Sequence, residues 1–371
     1  MRIAYLALGL NKFHFKGGVG NKIDTQRGFW RNFGHEEHLF FLTPDEVNHD
    51  KATAFQYGPL SRLPLLKNIT RFISRSSAMA RLIEELRNYH PDLIYLRYGI
   101  YAFPLHKIFK LAPVIVELNS NDLVEYRHYG WLSYWSNLFT RGISFRNSSG
   151  LVLLSNELAK VPENAALGKP IRVIANGIDF EKNQPLIPPK NITPVITIVA
   201  SAGAIWHGVD KLIYLAKRFP DLTINIVGDG QENMDGLVPL NIHMLGFVPR
   251  DQVRDILMLS DVACGTLALH RKNMQEASPL KVREAVAYGI PLILGYHDTD
   301  LSEINNEYIL NIPNTEDNVK TYAEEIRSFA YKMMGRRLDR EAFRACLDQI
   351  HKEEVRLQFF ADILEKKKNQ I

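Results

Sequence analysis

The chain has 371 residues, of which 46% are hydrophobic and 23% are charged, and its formal net charge is +4 at pH 7. A single hydrophobic core rarely grows to this size, so we expect two domains. The mild positive charge does not indicate a nucleic-acid partner. No apolar run reaches the roughly 18 residues that a membrane-spanning helix needs, so we expect a cytoplasmic protein.

The chain opens with a predicted strand, Arg2 to Leu8, and continues into a glycine-rich segment that contains Gly17 and Gly18. A nearly continuous apolar run is typical of a strand buried in a parallel sheet. Glycines between such a strand and the next helix, predicted over 22–32, let the backbone approach a ligand closely. A tight turn without a ligand is the alternative interpretation.

A basic segment, residues 61–81, contains no acidic residue. Lys67, Arg71 and Arg75 recur every four residues, which places them on one face of a predicted helix, with apolar residues on another face. A second helix is predicted over 78–88. A basic amphipathic helix can bind an anionic membrane surface, and the alternative is a solvated face over a domain core.

Two further predicted strands, over 91–98 and 113–119, carry polar residues near their carboxyl ends, where α/β sheets place ligand groups. Arg97 could meet an anionic acceptor or form a surface ion pair. Glu117 is a candidate base for an acceptor hydroxyl, and Asn119 could hydrogen-bond a sugar. Two other acids compete for the role of base, Asp122 and Glu125.

An aromatic stretch, residues 129–135, includes Trp131 and Trp135. Three interpretations are open: contact with an acceptor, contact with a membrane, or packing in a core or interface. We favour packing.

The second half repeats the order strand, loop, helix, which predicts a second parallel sheet. One loop between a strand and a helix ends in His207 and Gly208, and Gly228 begins a Gly-Asp-Gly turn after another strand. A proline-containing linker separates the halves. We therefore predict a domain over 1–180 that includes the C-terminal helix 353–371, and a domain over 190–350.

The most informative stretch is the E-x7-E segment, residues 276–284, in which Glu276 and Glu284 flank seven residues. Ser278 is the predicted N-cap of a helix, with Pro279 at the first helical position. The free N–H groups of a helix start favour a phosphate. Glu284 could accept hydrogen bonds from the vicinal hydroxyls of a ribose. Glu276 could reach a sugar on the far side of the phosphates.

The E-x7-E segment, followed by Ala-Tyr-Gly-Ile-Pro, resembles the donor site of the family four glycosyltransferases with the GT-B fold. The Asn-Gly-Ile-Asp string at 176–179 and the Gly-Asp-Gly turn extend this resemblance. It implies two doubly wound, Rossmann-like domains with parallel sheets that face a cleft, and a last helix that crosses back to the first domain.

The resemblance also implies roles for residues of the site. Glu276 contacts the donor sugar, Glu284 binds the nucleotide ribose, and the intervening loop holds the diphosphate. That loop comprises Ser278, Pro279, Leu280 and Lys281. Further donor-site residues are expected at His207, Gly208, Gly228, Arg271 and Lys272.

Two positions depart from the family pattern. His207 replaces a Lys of many relatives, and structural capping is the alternative to phosphate contact there. Asn119 stands where many relatives carry a His that lines the reaction centre. For Arg271 and Lys272 the alternative is a solvated surface loop. Gly17, Gly18 and Arg97 are expected on the acceptor side.

The resemblance implies a retaining, metal-independent glycosyltransferase of the hexosyltransferase type, without a cofactor, in polysaccharide or cell-envelope glycan synthesis. Its donor would be a nucleotide-diphosphate sugar, with UDP or GDP as the nucleotide. The acceptor would be a glycan or a lipid-linked molecule. Peripheral attachment to the inner face of the membrane is one expectation for its location. The alternatives are a catalytically decayed sugar-binding or scaffold protein with the same fold, and a nucleotide-sugar epimerase.

Overall fold

The computed structural model describes residues 1–59, 64–128, 130–230 and 238–369. The chain divides into two compact units. Unit 1 comprises Met1–Ile174 and Glu353–Ile371, and unit 2 comprises Ala175–Lys352. Each unit is built on its own parallel sheet, as the alternation of strands and helices predicts.

Within the described residues, the sheet of unit 1 has seven strands in the order β3-β2-β1-β4-β5-β6-β7. Every pair is parallel. The strands are β1 (Arg2–Leu8), β2 (Glu36–Thr43), β3 (Ala52–Gln56), β4 (Leu93–Arg97), β5 (Val114–Leu118), β6 (Gly150–Leu153) and β7 (Ile171–Val173). The order reverses direction beside β1, so β1 and β4 mark the point where α/β sheets usually bind ligands.

Helices connect these strands and cover both faces of the sheet. They are α1 (Lys12–Lys16), α2 (Gly18–Asn32), α3 (Pro64–Tyr89), α4 (Asp122–His128), α5 (Trp131–Asn147), α6 (Asn156–Lys160) and α7 (Pro162–Ala165). A short 3-10 helix, Leu105–Lys110, follows β4. The stretch between β1 and the glycine-rich segment contains α1, and the helix predicted over 22–32 starts at Gly18 rather than at residue 22.

Residues 60–63, where the basic helix was predicted to start, lie outside the described residues. From Pro64 onward, α3 is one continuous helix rather than the two helices predicted. Lys67 and Arg71 are exposed. Arg75 instead turns inward, and its guanidinium donates to the carbonyl oxygens of Ile100, at 2.6 Å, and Tyr101, at 3.2 Å. The predicted three-residue basic stripe is therefore wrong at Arg75, because partly buried carbonyls need a donor.

The aromatic stretch does not pack in a core of unit 1. On α5, the side chains of Trp131 and Phe139 are 70% and 77% exposed, and Leu132 and Trp135 are exposed too. The rings of Trp135 and Phe139 stack with their centroids 5.7 Å apart. The core part of the packing interpretation is therefore wrong, because α5 is anchored through other residues, such as the buried Phe145, and packing in an interface stays a prediction.

Unit 2 carries a six-stranded parallel sheet in the order β10-β9-β8-β11-β13-β15, and a separate pair β12-β14, among the residues described. The strands are β8 (Val195–Val199), β9 (Thr223–Val227), β10 (Ile242–Met244), β11 (Val262–Cys264), β12 (Glu276–Ala277), β13 (Leu292–Leu294), β14 (His297–Asp298) and β15 (Ile309–Asn311). The helices are α8 (Val209–Arg218), α9 (Arg250–Met258), α10 (Leu280–Ala287), α11 (Asn318–Thr321), α12 (Ala323–Met333) and α13 (Arg344–Leu347).

The last helix, α14 (Gln349–Lys368), joins unit 1 from Glu353 onward. Phe360 is fully buried there and packs against Trp30 of α2 and Tyr95 of β4. The indole N–H of Trp30 donates to Glu353 at 2.7 Å. The prediction that the last helix returns to the first domain is therefore confirmed. No helix in the described part of the chain has both the length and the apolar character to cross a membrane.

Phe360→Ala should destabilise unit 1 by about 3–5 kcal/mol, because it leaves a cavity between α14, α2 and the sheet. Urea unfolding followed by tryptophan fluorescence measures this, since Trp30 adjoins the site. Val355→Ala on the same helix is the matched control. Val355 is 44% exposed, so its truncation should change stability by no more than about 0.5 kcal/mol. Equal effects of the two variants would contradict the packing of α14 on unit 1.

Candidate functional site

The E-x7-E segment forms the junction between β12 and α10 in unit 2. Glu276 lies in β12, which pairs in parallel with β14, and its side chain is buried. Glu284 lies in the middle of α10 and is partly exposed. Its carboxylate is 3.4 Å from a guanidinium nitrogen of Arg250 and 3.4 Å from the hydroxyl of Tyr288. Along the chain, the two acids thus flank the first turn of α10.

Ser278 does not cap α10. The N-cap residue is Pro279, which is extended, and the helix begins at Leu280, so both predicted positions are shifted by one residue. The hydroxyl of Ser278 instead accepts the backbone N–H of Asn176 at 2.8 Å. The side-chain amide of Asn176 donates back to the Ser278 carbonyl. This reciprocal pair uses the serine oxygen that a cap would need, and it ties the loop to the Asn176-Gly177 turn.

Arg283, a residue that the sequence reasoning missed, anchors the start of α10. Its side chain is fully buried and donates to the carbonyl oxygen of Asn176 at 3.1 Å. It also forms ion pairs with Asp298, on β14, and with Asp300. The sequence signal that could have pointed to this residue is its position directly before Glu284.

Lys281 and His207 lie together behind the first turn of α10. The ammonium of Lys281 donates to the carbonyl oxygen of Val199 at 2.7 Å, and lies 3.0 Å from Nδ1 of His207. Burial lowers the pKa of Lys281 to about 8. Burial, together with the charges of Lys281 and Lys272, lowers the pKa of His207 to about 2. At neutral pH the site therefore offers one cation and one neutral imidazole.

Two of the predicted glycines have positive φ angles and close neighbours. A Cβ atom on Gly228 would lie 2.1 Å from the carbonyl oxygen of Ala200, just after β8. A Cβ atom on Gly208 would lie 2.9 Å from Cβ of Leu267. Their φ angles are +90° and +74°, which glycine adopts most readily. Gly228 thus lets the loop after β9 approach the loop after β8, and Gly208 lets the loop after β8 approach the segment after β11.

The two basic residues of the 3-10 helix Leu269–Lys272 are engaged within unit 2. Arg271 uses all five N–H groups, on Asp210, Glu316 and the carbonyl oxygen of Ile205. This arrangement favours a structural role over binding of a donor phosphate. The ammonium of Lys272 lies 4.9 Å from the centre of the Trp206 ring, next to His207.

In unit 1, the predicted residues Arg97, Glu117 and Asn119 meet at the carboxyl end of the sheet. One oxygen of Glu117 lies 2.9 Å from the ammonium of Lys22, on α2. The other lies 3.3 Å from a guanidinium nitrogen of Arg97 and accepts the Asn119 amide at 3.2 Å. Lys22 also donates to the Asn119 carbonyl oxygen at 2.6 Å. Both ends of the Asn119 amide are therefore fixed.

This network disfavours Glu117 as a base. Burial alone would raise its pKa, but the charges of Lys22, Arg97 and Arg356 outweigh burial and hold that pKa well below its usual range. A carboxylate held ionised by three cations accepts protons poorly. Burial lowers the pKa of Lys22 to about 8. A signal for Lys22 was present, because it shares the buried face of α2 with Trp30, eight residues later.

Gly17 and Gly18 begin α2, with Gly17 as its N-cap. The glycine that packing requires is Gly20, whose Cβ atom would lie 2.6 Å from Cα of Phe15. The glycine-rich segment is thus a close contact between α1 and α2, at the carboxyl end of β1.

Two family models match the chain in succession. Residues 16–182 match Glycosyltransferase Family 4, and residues 180–335 match Glycosyl transferases group 1. Comparison with curated protein sequences gave no match.

Several solved structures share the fold. Sucrose-phosphate synthase from Thermosynechococcus elongatus has a TM-score of 0.69 at 15% identity, with 98% of this chain and 100% of that chain covered. The lipopolysaccharide outer core galactosyltransferase WaaB has a TM-score of 0.64 at 14% identity, with 98% and 100% covered. Anabaena Alr3699/HepE, in complex with UDP and glucose, has a TM-score of 0.63 at 14% identity, with 96% and 99% covered.

These likenesses confirm the predicted fold class, two α/β domains of the GT-B type with parallel sheets. They favour neither a decayed sugar-binding protein nor an epimerase. With its two halves matched by consecutive glycosyltransferase models, the chain is a family 4-type glycosyltransferase that uses a nucleotide-sugar donor.

Proposed function

We propose that the enzyme transfers a hexose, with retention of configuration, from a nucleotide-diphosphate sugar to a hydroxyl of a glycan or lipid-linked acceptor. The pathway would be polysaccharide or cell-envelope glycan synthesis. The observation that carries the proposal is the placement of Glu276 and Glu284 on either side of the first turn of α10. Such a helix start binds phosphate, and the flanking acids can accept hydrogen bonds from sugar hydroxyls.

Each residue of the donor site receives one role in this proposal. Glu284, partly exposed, binds the ribose hydroxyls, and Glu276 binds the donor sugar. The loop from Ser278 to Lys281 receives the diphosphate. Gly208 and Gly228 keep the neighbouring loops close enough to reach it.

The leaving diphosphate gains negative charge as the bond to the sugar breaks. We assign its stabilisation to the first-turn N–H groups of α10, to Lys281 and to His207, and not to an obligatory metal ion. In unit 1, Arg97 and Asn119 serve the acceptor side, beside the glycine-rich segment of Gly17 and Gly18. Glu117 positions these groups through Lys22 and takes no proton.

Incubation with a panel of UDP- and GDP-sugars tests the reaction. We expect release of the nucleoside diphosphate from at least one donor, a product linkage with the anomeric configuration of that donor by NMR, and unchanged turnover in EDTA. Inversion in the product would refute retention. Loss of turnover in EDTA, restored by Mg²⁺ or Mn²⁺, would refute the metal-independent part. Absence of turnover and binding with all donors would favour the decayed alternative.

Two substitutions separate the roles of the acids. Glu284→Gln should weaken UDP or GDP and the matching nucleotide sugar alike, by about tenfold, because a hydrogen bond to a charged group is worth about 1.5–3 kcal/mol. Glu276→Gln should leave the nucleoside diphosphate Kd nearly unchanged but lower kcat about 100-fold, because it touches the sugar only. Titration calorimetry and initial rates measure both. The exposed Glu325→Gln, on α12, is the control. The reverse pattern would exchange the two assignments.

We also propose that unit 1 binds an anionic bilayer. The lipid-facing surface is defined by the exposed apolar residues of two helices that cover the same sheet face: Leu66, Ile69, Phe72 and Ile73 of α3, and Trp131, Leu132, Trp135, Leu138 and Phe139 of α5. α3 runs from β3 to β4, and α5 ends just before β6, so the first turns of both helices lie toward the carboxyl end of the sheet. The exposed Lys67 and Arg71 supply charge for acidic headgroups.

Vesicle sedimentation tests this surface. The double variant Trp135→Ser and Phe139→Ser should lose binding to phosphatidylglycerol vesicles at least about tenfold, since each buried aromatic contributes roughly 1.5–3 kcal/mol. Lys67→Glu with Arg71→Glu should weaken binding at low salt only, because salt screens charges. Ile187→Ser, at a residue of unit 2 that is 79% exposed, is the control. Wild-type protein that stays in the supernatant with these vesicles would refute the proposal.

A further inference from the structure

The contact between Lys281 and His207 restricts the chemistry of the imidazole. A lysine ammonium carries three hydrogen-bond donors and no acceptor. At neutral pH Lys281 remains mostly protonated, since its pKa is about 8. The nitrogen 3.0 Å away, Nδ1 of His207, must therefore be the acceptor and carries no proton. A neutral ring with a free Nδ1 holds its proton on Nε2.

The surroundings keep the ring neutral and in place. Burial, with the charges of Lys281 and Lys272, lowers the pKa of His207 to about 2. The remaining titratable neighbour of the pair is the Cys264 thiol, whose pKa burial raises to about 12, so it stays neutral as well. The carbonyl oxygen of Val199 takes a second proton of the ammonium at 2.7 Å. Lys281 is thus held from two sides, and its orientation toward Nδ1 is fixed.

The other ring nitrogen is available for a ligand. Within the described part of the chain, Nε2 of His207 makes no hydrogen bond. The ring lies beside the start of α10, because its other nitrogen, Nδ1, contacts Lys281, the second residue of that helix. A phosphate oxygen accepts a hydrogen bond and repels a lone pair, so only the Nε2–H tautomer could bind a phosphate there.

We propose that Lys281 is a positioning residue that sets the tautomer of His207, so that the neutral ring presents an Nε2–H donor to the donor diphosphate. The inference rests on the proposed function, which supplies the diphosphate. The two residues act together. The lysine ammonium contributes positive charge on the Nδ1 side of the ring, and the histidine donates the hydrogen bond from Nε2 to the phosphate. A histidine can thereby serve where a lysine would otherwise contact the phosphate directly.

The tautomer can be measured on the ligand-free enzyme. Long-range ¹H–¹⁵N NMR of protein with ¹⁵N-labelled histidine distinguishes the two ring nitrogens, and His207→Gln identifies the signal among the 12 histidines. We expect wild type to be in the Nε2–H form. Lys281→Met should shift the signal toward a mixture of tautomers, whereas Lys281→Arg, which keeps donors, should restore it. Lys217→Met, an exposed lysine of α8, should change nothing.

An Nδ1–H or charged ring in wild type would overturn the proposal, and that result needs no variant to fold. An unchanged signal in a folded Lys281→Met protein would overturn it too.

Nucleotide binding tests the second half of the inference. Lys281→Met should weaken UDP or GDP about tenfold, as expected for a lost charged hydrogen-bonding group. In protein that already carries His207→Gln, Lys281→Met should weaken UDP or GDP binding by a clearly smaller factor, because glutamine has no tautomer to set. Full additivity would contradict the joint role. If wild type binds none of the nucleoside diphosphates, the proposed function fails, and the NMR measurement still decides the tautomer.

Discussion

The start of α10, where we propose the donor site of unit 2, depends on one buried guanidinium. Arg283 connects three parts of the chain that are distant in sequence: the turn at Asn176, the first turn of α10, and the acidic residues at and after β14. Its side chain is removed from water, so its charge is tolerated only because carboxylates and a carbonyl oxygen surround it. The same contacts fix the start of α10 relative to β12.

Each unit also has a buried lysine whose ammonium contacts and orients another side chain. In unit 1, Lys22 orients the amide of Asn119 and balances Glu117. In unit 2, Lys281 lies against His207 and a backbone carbonyl. Burial lowers the pKa of both lysines to about 8, so each ammonium is charged at neutral pH but loses its proton at only slightly higher pH. Buried charges of this kind are costly unless every donor is used, and they cluster at functional sites.

Much of the fold and of the candidate donor site could be predicted from the sequence. The order of strands and helices follows from apolar periodicity. The E-x7-E segment stands out because its acids, its proline and the following strand occur together, as in the family that it resembles. The failures have a common physical cause, since they concern partners that are distant in the chain. Ser278 is a good cap by composition, yet the backbone of Asn176 takes its hydroxyl. Arg75 is basic, yet the carbonyl oxygens of Ile100 and Tyr101 accept its hydrogen bonds and draw it away from the exposed face. The aromatic face of α5 has the composition of a core, and only the packing of its neighbours shows that it is exposed.

The return of α14 to unit 1 has a consequence for synthesis of the protein. The indole of Trp30 bonds to Glu353, 323 residues later in the chain. As the chain leaves the ribosome, the sheet of unit 1 emerges first but lacks the helix that covers Trp30 and Tyr95. Unit 2, which is continuous in sequence, can complete its core before that helix exists. The first half of the chain must therefore keep this apolar face of its sheet uncovered until α14 has been synthesised.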